Sequence, residues 1–216
     1  MIRTQETIRA VFWDMDGTLI DTEFLHYEVA RDWCAGHGYA LTEEANEGLL
    51  GKTMTEKWRL LRSKLDAQAE FHLFEQWCAQ EYLKRLDASM RRDDTAKVVR
   101  ELAARGVVQA CVSNGDPEVV EANLRIVELE DCMNFYICSH DVDKGKPHAD
   151  PYLAAAERAG FDPAQCLAVE DSNVGLISAR AAGCVVCAWP MEQDASLPKV
   201  DFVLRTPKDF PRHLLG

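Results

Sequence analysis

Asp14 and Asp16 stand two residues apart in Asp14-Met15-Asp16-Gly17-Thr18-Leu19, directly behind the apolar run Ile8-Arg9-Ala10-Val11-Phe12-Trp13. Asp is disfavoured inside strands, and an unpaired buried carboxylate is costly. A metal ion and a reaction would account for both residues. In an open α/β sheet, ligands gather just beyond the C-terminal ends of strands, which is where this pair falls.

Three further strand ends carry polar groups. Val112-Ser113-Asn114-Gly115 ends one apolar run with small hydrogen-bonding side chains, and Asp116-Pro117 reads as a helix N-cap with Pro at the first helical position. Such a terminus offers N–H groups and partial positive charge to an anion, or is an ordinary cap. Lys146, set between Gly145 and Pro147, can present a point charge to a phosphate, or be a solvated loop lysine. His148 reads as a loop residue and Asp150 as the cap of the next helix. Leu167-Ala168-Val169-Glu170-Asp171-Ser172 places a second carboxylate pair at a strand end. Oxygen-only ligands in small number suit Mg²⁺, which keeps several waters and borrows a phosphate oxygen.

The elements that must position these residues alternate. Strands are expected at Arg9–Trp13, Val108–Val112, Phe135–Cys138, Cys166–Val169, Val185–Ala188 and Phe202–Leu204. Helices are expected at Thr95–Arg105, Pro117–Val127, Pro151–Ala159 and Ser172–Ala182. This alternation implies an α/β fold with a mostly parallel sheet covered on both faces. From Thr22 to Arg91 the rhythm breaks into helical stretches at Glu23–Cys34, Glu43–Leu49, Thr55–Leu65 and Ala69–Leu86. Trp58, Leu61 and Leu65, and Phe71, Phe74, Trp77 and Cys78, recur at helical spacing and read as bundle core, with Arg59 on the exposed face. The chain therefore divides into a core of residues 1–20 and 92–216 and an inserted all-helical unit of 21–91, with hinges at Ile20–Asp21 and around Ser89–Arg92.

With 216 residues and 47% hydrophobic content, the chain can build one good core plus a small second unit. A net charge of −12 argues against nucleic acid or an anionic membrane as partner. No apolar run reaches the ~18 residues of a membrane span. Met1–Glu6 lacks the apolar segment of a signal peptide, so a cytoplasmic protein is expected, and with no surplus hydrophobic surface identifiable in the sequence a monomer is expected. The eight cysteines lie mostly in apolar runs. Cys184-Val185-Val186-Cys187 has the spacing of a metal or redox pair, but strand residues three apart face opposite sides.

The order Asp-x-Asp-Gly-Thr, then Ser, then Lys-Pro, then Glu-Asp-Ser-x-x-Gly resembles the haloacid dehalogenase-like superfamily, from about Ile8 to Phe202. It is most similar to the subgroup of sugar-phosphate phosphatases and β-phosphoglucomutase. The resemblance implies a Rossmann-like core with the helical insert as a cap. Asp14 would be the nucleophile that becomes an aspartyl phosphate, and Asp16 the general acid and then base. Mg²⁺ would be held by Asp14, the carbonyl of Asp16 and Asp171, with Glu170 as a further direct or water-mediated ligand. Ser113, Lys146 and the backbone amides of Met15, Asp16 and Asn114 would hold the phosphoryl oxygens. Asn114, where Ser is commoner, could add a side-chain contact.

The expected activity is a Mg²⁺-dependent phosphatase acting on a small phosphorylated metabolite, a sugar phosphate. The alternatives are a mutase and a non-catalytic binding protein. Every catalytic carboxylate is present, which opposes the last. Thr22 and His26 match positions that favour the mutase, whereas Met54 stands where mutases place an Arg. In the loop Leu50-Gly51-Lys52-Thr53, Lys52 and Thr53 are the expected cap contacts to substrate.

Overall fold

The computed structural model describes residues 7–189 and 199–215. Strands β1 (Ala10–Trp13), β2 (Val108–Val112), β3 (Phe135–Ile137), β4 (Cys166–Glu170), β5 (Val185–Ala188) and β6 (Phe202–Val203) form one sheet in the order β3-β2-β1-β4-β5-β6. Every pairing is parallel. This is the Rossmann-like α/β architecture that the strand–helix alternation implies.

The strands alternate sides as their period of two requires. Val11, Trp13, Leu167, Val169 and Cys187 enter one hydrophobic cluster, beneath α5 (Asp93–Ala104) and α6 (Pro117–Ile126). Ala10, Phe12, Ala168, Val186 and Cys184 enter the other, beneath α7 (Asp150–Ala159) and α8 (Asn173–Ala182). Cys184 and Cys187 thus face opposite ways, and all eight cysteines are free.

Trp13 is in register with Cys111 of β2 and with Val169 of β4. Asp14 therefore emerges level with Val112 and Glu170, and three strand ends open at one height. The sheet order reverses at β1, with β2 on one side and β4 on the other, which leaves a crevice at the strands' carboxyl ends.

Between β1 and α5 the chain forms α1 (Glu23–Gly36), α2 (Glu43–Glu47), α3 (Met54–Leu61) and α4 (Phe71–Arg85). Their shared core is Tyr27, Trp33, Cys34, Leu61, Leu65 and Phe74, with Trp58, Phe71, Trp77 and Cys78 packed against it. Three of these helices are shorter than their apolar spacing suggests. The α4 helix starts at Phe71, because the Asp66 carboxylate accepts from the amides of Gln68 and Ala69 and holds them in a turn. The α3 helix tightens into a 3₁₀ turn over Arg62–Lys64 before Leu65, and Gly48 closes α2. In the other direction, α5 begins at Asp93, ahead of Thr95.

This helical unit leaves and rejoins the rest at one place. Ile20 and Arg91 form an antiparallel bridge, the Asp21 amide donates to Met90 O at 2.8 Å, and the Arg92 amide donates to Leu19 O at 3.1 Å. A second link is buried: Tyr82 Oη of α4 donates to Asn123 Oδ1 of α6 at 2.8 Å, beside Leu25, Val29 and Val119. Among the described residues, no helix is long and apolar enough to cross a membrane.

Candidate active site

Asp14, only 9% exposed, is fixed by its amide, which donates to Val169 O at 2.9 Å. Lys146, 5% exposed, reaches in from the loop before α7. Its ammonium donates to Asp14 Oδ1 at 2.6 Å, Glu170 Oε1 at 2.5 Å and Val112 O at 2.7 Å, which uses all three of its protons. Glu170 Oε1 also accepts from the Tyr152 hydroxyl, whose ring lies under the Lys146 ammonium.

Two glycines make room for these groups. A Cβ on Gly175 would lie 1.9 Å from Glu170 Oε2. A Cβ on Gly17, which has φ +85°, would lie 1.9 Å from Asp171 Oδ2. The glycines of the first and last motifs therefore admit the carboxylates beside them.

Asp14, Glu170 and Asp171 each bring one carboxylate oxygen within 4.8 Å of the others. Three carboxylates meet one ammonium there. Burial, and after it the charge of Glu170, raises the Asp14 carboxyl to about 8 against the pull of Lys146. Burial followed by Asp14 and Glu170 pushes Asp171 well above the usual carboxylate range. Lys146 is raised despite its burial, because Asp14 and Glu170 hold its proton.

Asp16 has the opposite surroundings. Its Oδ1 accepts from Thr22 Oγ1 at 2.5 Å and meets His26 Nε2 at 3.1 Å. Burial alone would raise this carboxyl, but His26 and Thr22 outweigh it and hold it at about 2. His26 is itself fixed by stacking on Tyr82, with ring centroids 4.5 Å apart.

Around Asp14 lie unspent donors. Among the described residues, the backbone amides of Met15, Asp16 and Asn114 meet no acceptor. Ser113 Oγ, buried, accepts from the Gly115 amide at 3.0 Å and leaves its own proton free. The Asn114 side chain is fully used: Nδ2 donates to Gly51 O at 2.9 Å and Lys146 O at 3.0 Å, and Oδ1 accepts from the Lys146 amide at 2.8 Å. It ties the helical unit's loop to the lysine loop, so its backbone N–H is the part left for a ligand.

The cleft above these groups has a volume of about 960 Å³, counting its open mouth. Asp14, Asp16, Ser113, Asn114 and Lys146 line the sheet side, and Lys52, Met54 and His26 line the helical side. Thr53 does not line it. Its hydroxyl and amide both donate to Glu56 Oε2, at 2.9 and 3.0 Å, in a capping box that starts α3.

Two caps differ from expectation. Asp150 is the first residue of α7 and does not cap it, because the helix starts one residue earlier than expected, with Ala149 at the cap position and the Leu153 amide donating to Ala149 O. Asp116 does precede Pro117 at the N-terminus of α6, but its carboxylate accepts from Ser139 Oγ at 2.7 Å instead of from helix amides. His148 is an exposed loop residue, and Arg59 is exposed on α3. Sequence reasoning missed Tyr152, Tyr82, Lys57, Glu23 and Glu75, of which all but Tyr152 line the cleft.

A family model described as haloacid dehalogenase-like hydrolase matches residues 8–183. The chain is 30% identical to hexitol phosphatase A of Escherichia coli, over 92% of this chain and 91% of that protein. It is also 30% identical to the bifunctional riboflavin kinase/FMN phosphatase of Arabidopsis thaliana over 88% of its own length, but spans only 49% of that larger protein. Among solved structures, CbbY from Rhodobacter sphaeroides in complex with phosphate superposes with a TM-score of 0.82 at 23% identity, covering 94% of this chain and 96% of that one.

Proposed function

The chain belongs to the haloacid dehalogenase-like hydrolases, and on that premise we propose that it is a Mg²⁺-dependent phosphatase of a small phosphorylated metabolite, a sugar phosphate, working through a phosphoryl group carried on Asp14. The observation that carries this reading is the meeting, at three level strand ends, of Asp14 with Lys146, Ser113 and the unspent amides of Met15, Asp16 and Asn114. The hexitol phosphatase relative supports the substrate class.

The donor set fits a hard divalent cation, because three crowded carboxylates with raised affinity for protons face a single ammonium. Asp14, Asp171 and the Asp16 carbonyl would hold it. Glu170, whose Oε1 is already taken by Lys146 and Tyr152, would serve at one remove. The ion, when bound, offsets the repulsion between the Asp14 carboxylate and an anionic phosphate.

In the first step an Asp14 oxygen attacks phosphorus, the ester P–O bond breaks, and Asp16 gives its proton to the departing oxygen. In the second, Asp16 takes a proton from water as that water attacks phosphorus and frees Asp14. Ser113 and the three amides donate to the phosphoryl oxygens and to the charge that spreads over them, and Lys146 joins them by exchanging its hydrogen bond to Asp14 for one to a phosphoryl oxygen. Thr22 and His26 favour the Asp16 anion, so their hydrogen bonds loosen while Asp16 carries a proton and re-form when it acts as a base. The helical unit of 21–91 serves as a lid on the core of 1–20 and 92–216, and the Asn114–Gly51 hydrogen bond couples its closure to the lysine loop.

The test is phosphate release from a panel of sugar and polyol phosphates with Mg²⁺ and with EDTA. Metal-dependent release concentrated on a few esters supports the reading. A second reading, phosphoryl transfer within a sugar, draws on Thr22 and His26 at Asp16 and is opposed by apolar Met54 in the cleft. Conversion of β-glucose 1-phosphate to glucose 6-phosphate without phosphate release would select it.

A further inference from the structure

Lys57 projects from α3, one turn beyond Met54, into the same cleft as Asp16. It is half-buried, and among the described residues no carboxylate oxygen comes within 4.0 Å of it. Lys146, on the opposite wall of the cleft, is bonded on every proton. A half-buried ammonium without a partner is costly to the free protein, and burial accordingly lowers its proton affinity, although Asp16, Glu23 and Asp116 are near enough to oppose this. Such a cost is offset where a ligand brings the acceptors.

Glu23, Glu75 and Asp116 line this end of the cleft, and none of them is paired with Lys57. Burial raises the Glu23 and Glu75 carboxyls, aided by Asp16 and Asp116 respectively. The same cleft is also lined by Met54, Ala79, Tyr82 and Val119. A ligand that fits must accept from an ammonium, donate to carboxylates and pass apolar C–H surface along the walls. Hydroxyls on a carbon chain do all three. A second phosphate does not, since even with Lys52 counted the carboxylates here outnumber the ammonium groups.

Resting on the phosphatase reading above, we propose that Lys57 is a specificity-determining residue. Its ammonium receives the hydroxyls of an uncharged polyol or sugar leaving group, and the surrounding carboxylates turn away bisphosphates.

The experiment is Lys57→Met, assayed with a hexitol monophosphate and with p-nitrophenyl phosphate, whose leaving group carries no aliphatic hydroxyl. The expected result is a rise of about tenfold in KM for the hexitol ester, the size of one charge-assisted hydrogen bond, with a clearly smaller change for the aryl ester. Lys57→Arg should recover part of the loss. Equal losses on both esters, or none on either, overturn the proposal. A second arm removes the need for turnover: in an Asp14→Asn background, calorimetry of hexitol monophosphate should show Lys57→Met weakening binding about tenfold while inorganic phosphate binds as before. Unchanged hexitol affinity overturns the proposal. A protein that hydrolyses no ester but shows this Lys57-dependent binding keeps the proposal and overturns the phosphatase reading.

Discussion

The two walls of the cleft are built to different rules. On the sheet wall nearly every polar side chain is spent on another: Lys146 on Asp14, Glu170 and Val112, Tyr152 on Glu170, and Asn114 on Gly51 and Lys146. On the helical wall, Lys57, Glu23 and Glu75 line the same space with no ion pair among them. A saturated wall is preorganised and holds one geometry, which suits bond breaking. An unsaturated wall is completed only by its ligand, which suits selection. The same contrast recurs within the first motif, where Asp14 is crowded by carboxylates and Asp16 is flanked by donors.

The sharpest way to break this contrast is Asp14→Asn. Phosphate release should fall by at least about 10³-fold while circular dichroism and the thermal midpoint in EDTA hold steady, and turnover within about tenfold of the unaltered protein would remove Asp14 from the nucleophile's role. Next, the two lysines should part company in stability. Lys146→Met strands Asp14 and Glu170 without their cation and should cost about 3 kcal/mol in urea unfolding, whereas Lys57→Met should be neutral or stabilising within about 0.5 kcal/mol. Equal costs would erase the distinction between the walls.

The pH dependence follows from the two aspartates. In EDTA, native Asp14 keeps a proton up to about 8, whereas its ordinary value is 3.8. The native state then holds more protons than the unfolded chain across that window, so stability is fullest below it and falls as pH rises through it. Mg²⁺ should flatten the decline by replacing the proton. Asp16, lowered to about 2, acts in the reverse sense: its stabilisation is present above 3.8 and is lost as pH falls toward 2. A thermal midpoint that climbs from pH 5 to 8 in EDTA would contradict the crowding at Asp14. Tyr152→Phe, which deletes one donor to a charged acceptor, should cost about 1.5 kcal/mol in urea unfolding, about half the loss expected of Lys146→Met.

The sheet wall was largely legible in the sequence. Lys146 stands out by its place between Gly145 and Pro147, and strand ends announce themselves when Asp14, Ser113 and Glu170 interrupt apolar runs, because nothing in packing calls for them there. Parallel register then brings them level without further information. Tyr152 was not legible, since a Tyr in an alanine-rich helix looks like packing until its hydroxyl is seen on Glu170. The helical wall was legible in composition but not in direction. Thr53 carries the polarity of a substrate contact, yet Thr-x-x-Glu is also a capping box, and the helix start claims it. Lys57, one turn on, has the look of an exposed helix residue, and only the angle of α3 over the crevice turns it inward.

The Asp21–Met90 and Arg92–Leu19 hydrogen bonds close the inserted segment at its base. The strand order and the register at Asp14 are set by pairings of β1 with β2 and β4, all of which lie outside that segment. The junction therefore works as a socket. A different plug of helices could be fitted there, by natural exchange or by grafting, and the protein would change what it recognises while keeping the strand ends that carry Asp14, provided the new plug restored the donors that Thr22 and His26 bring to Asp16.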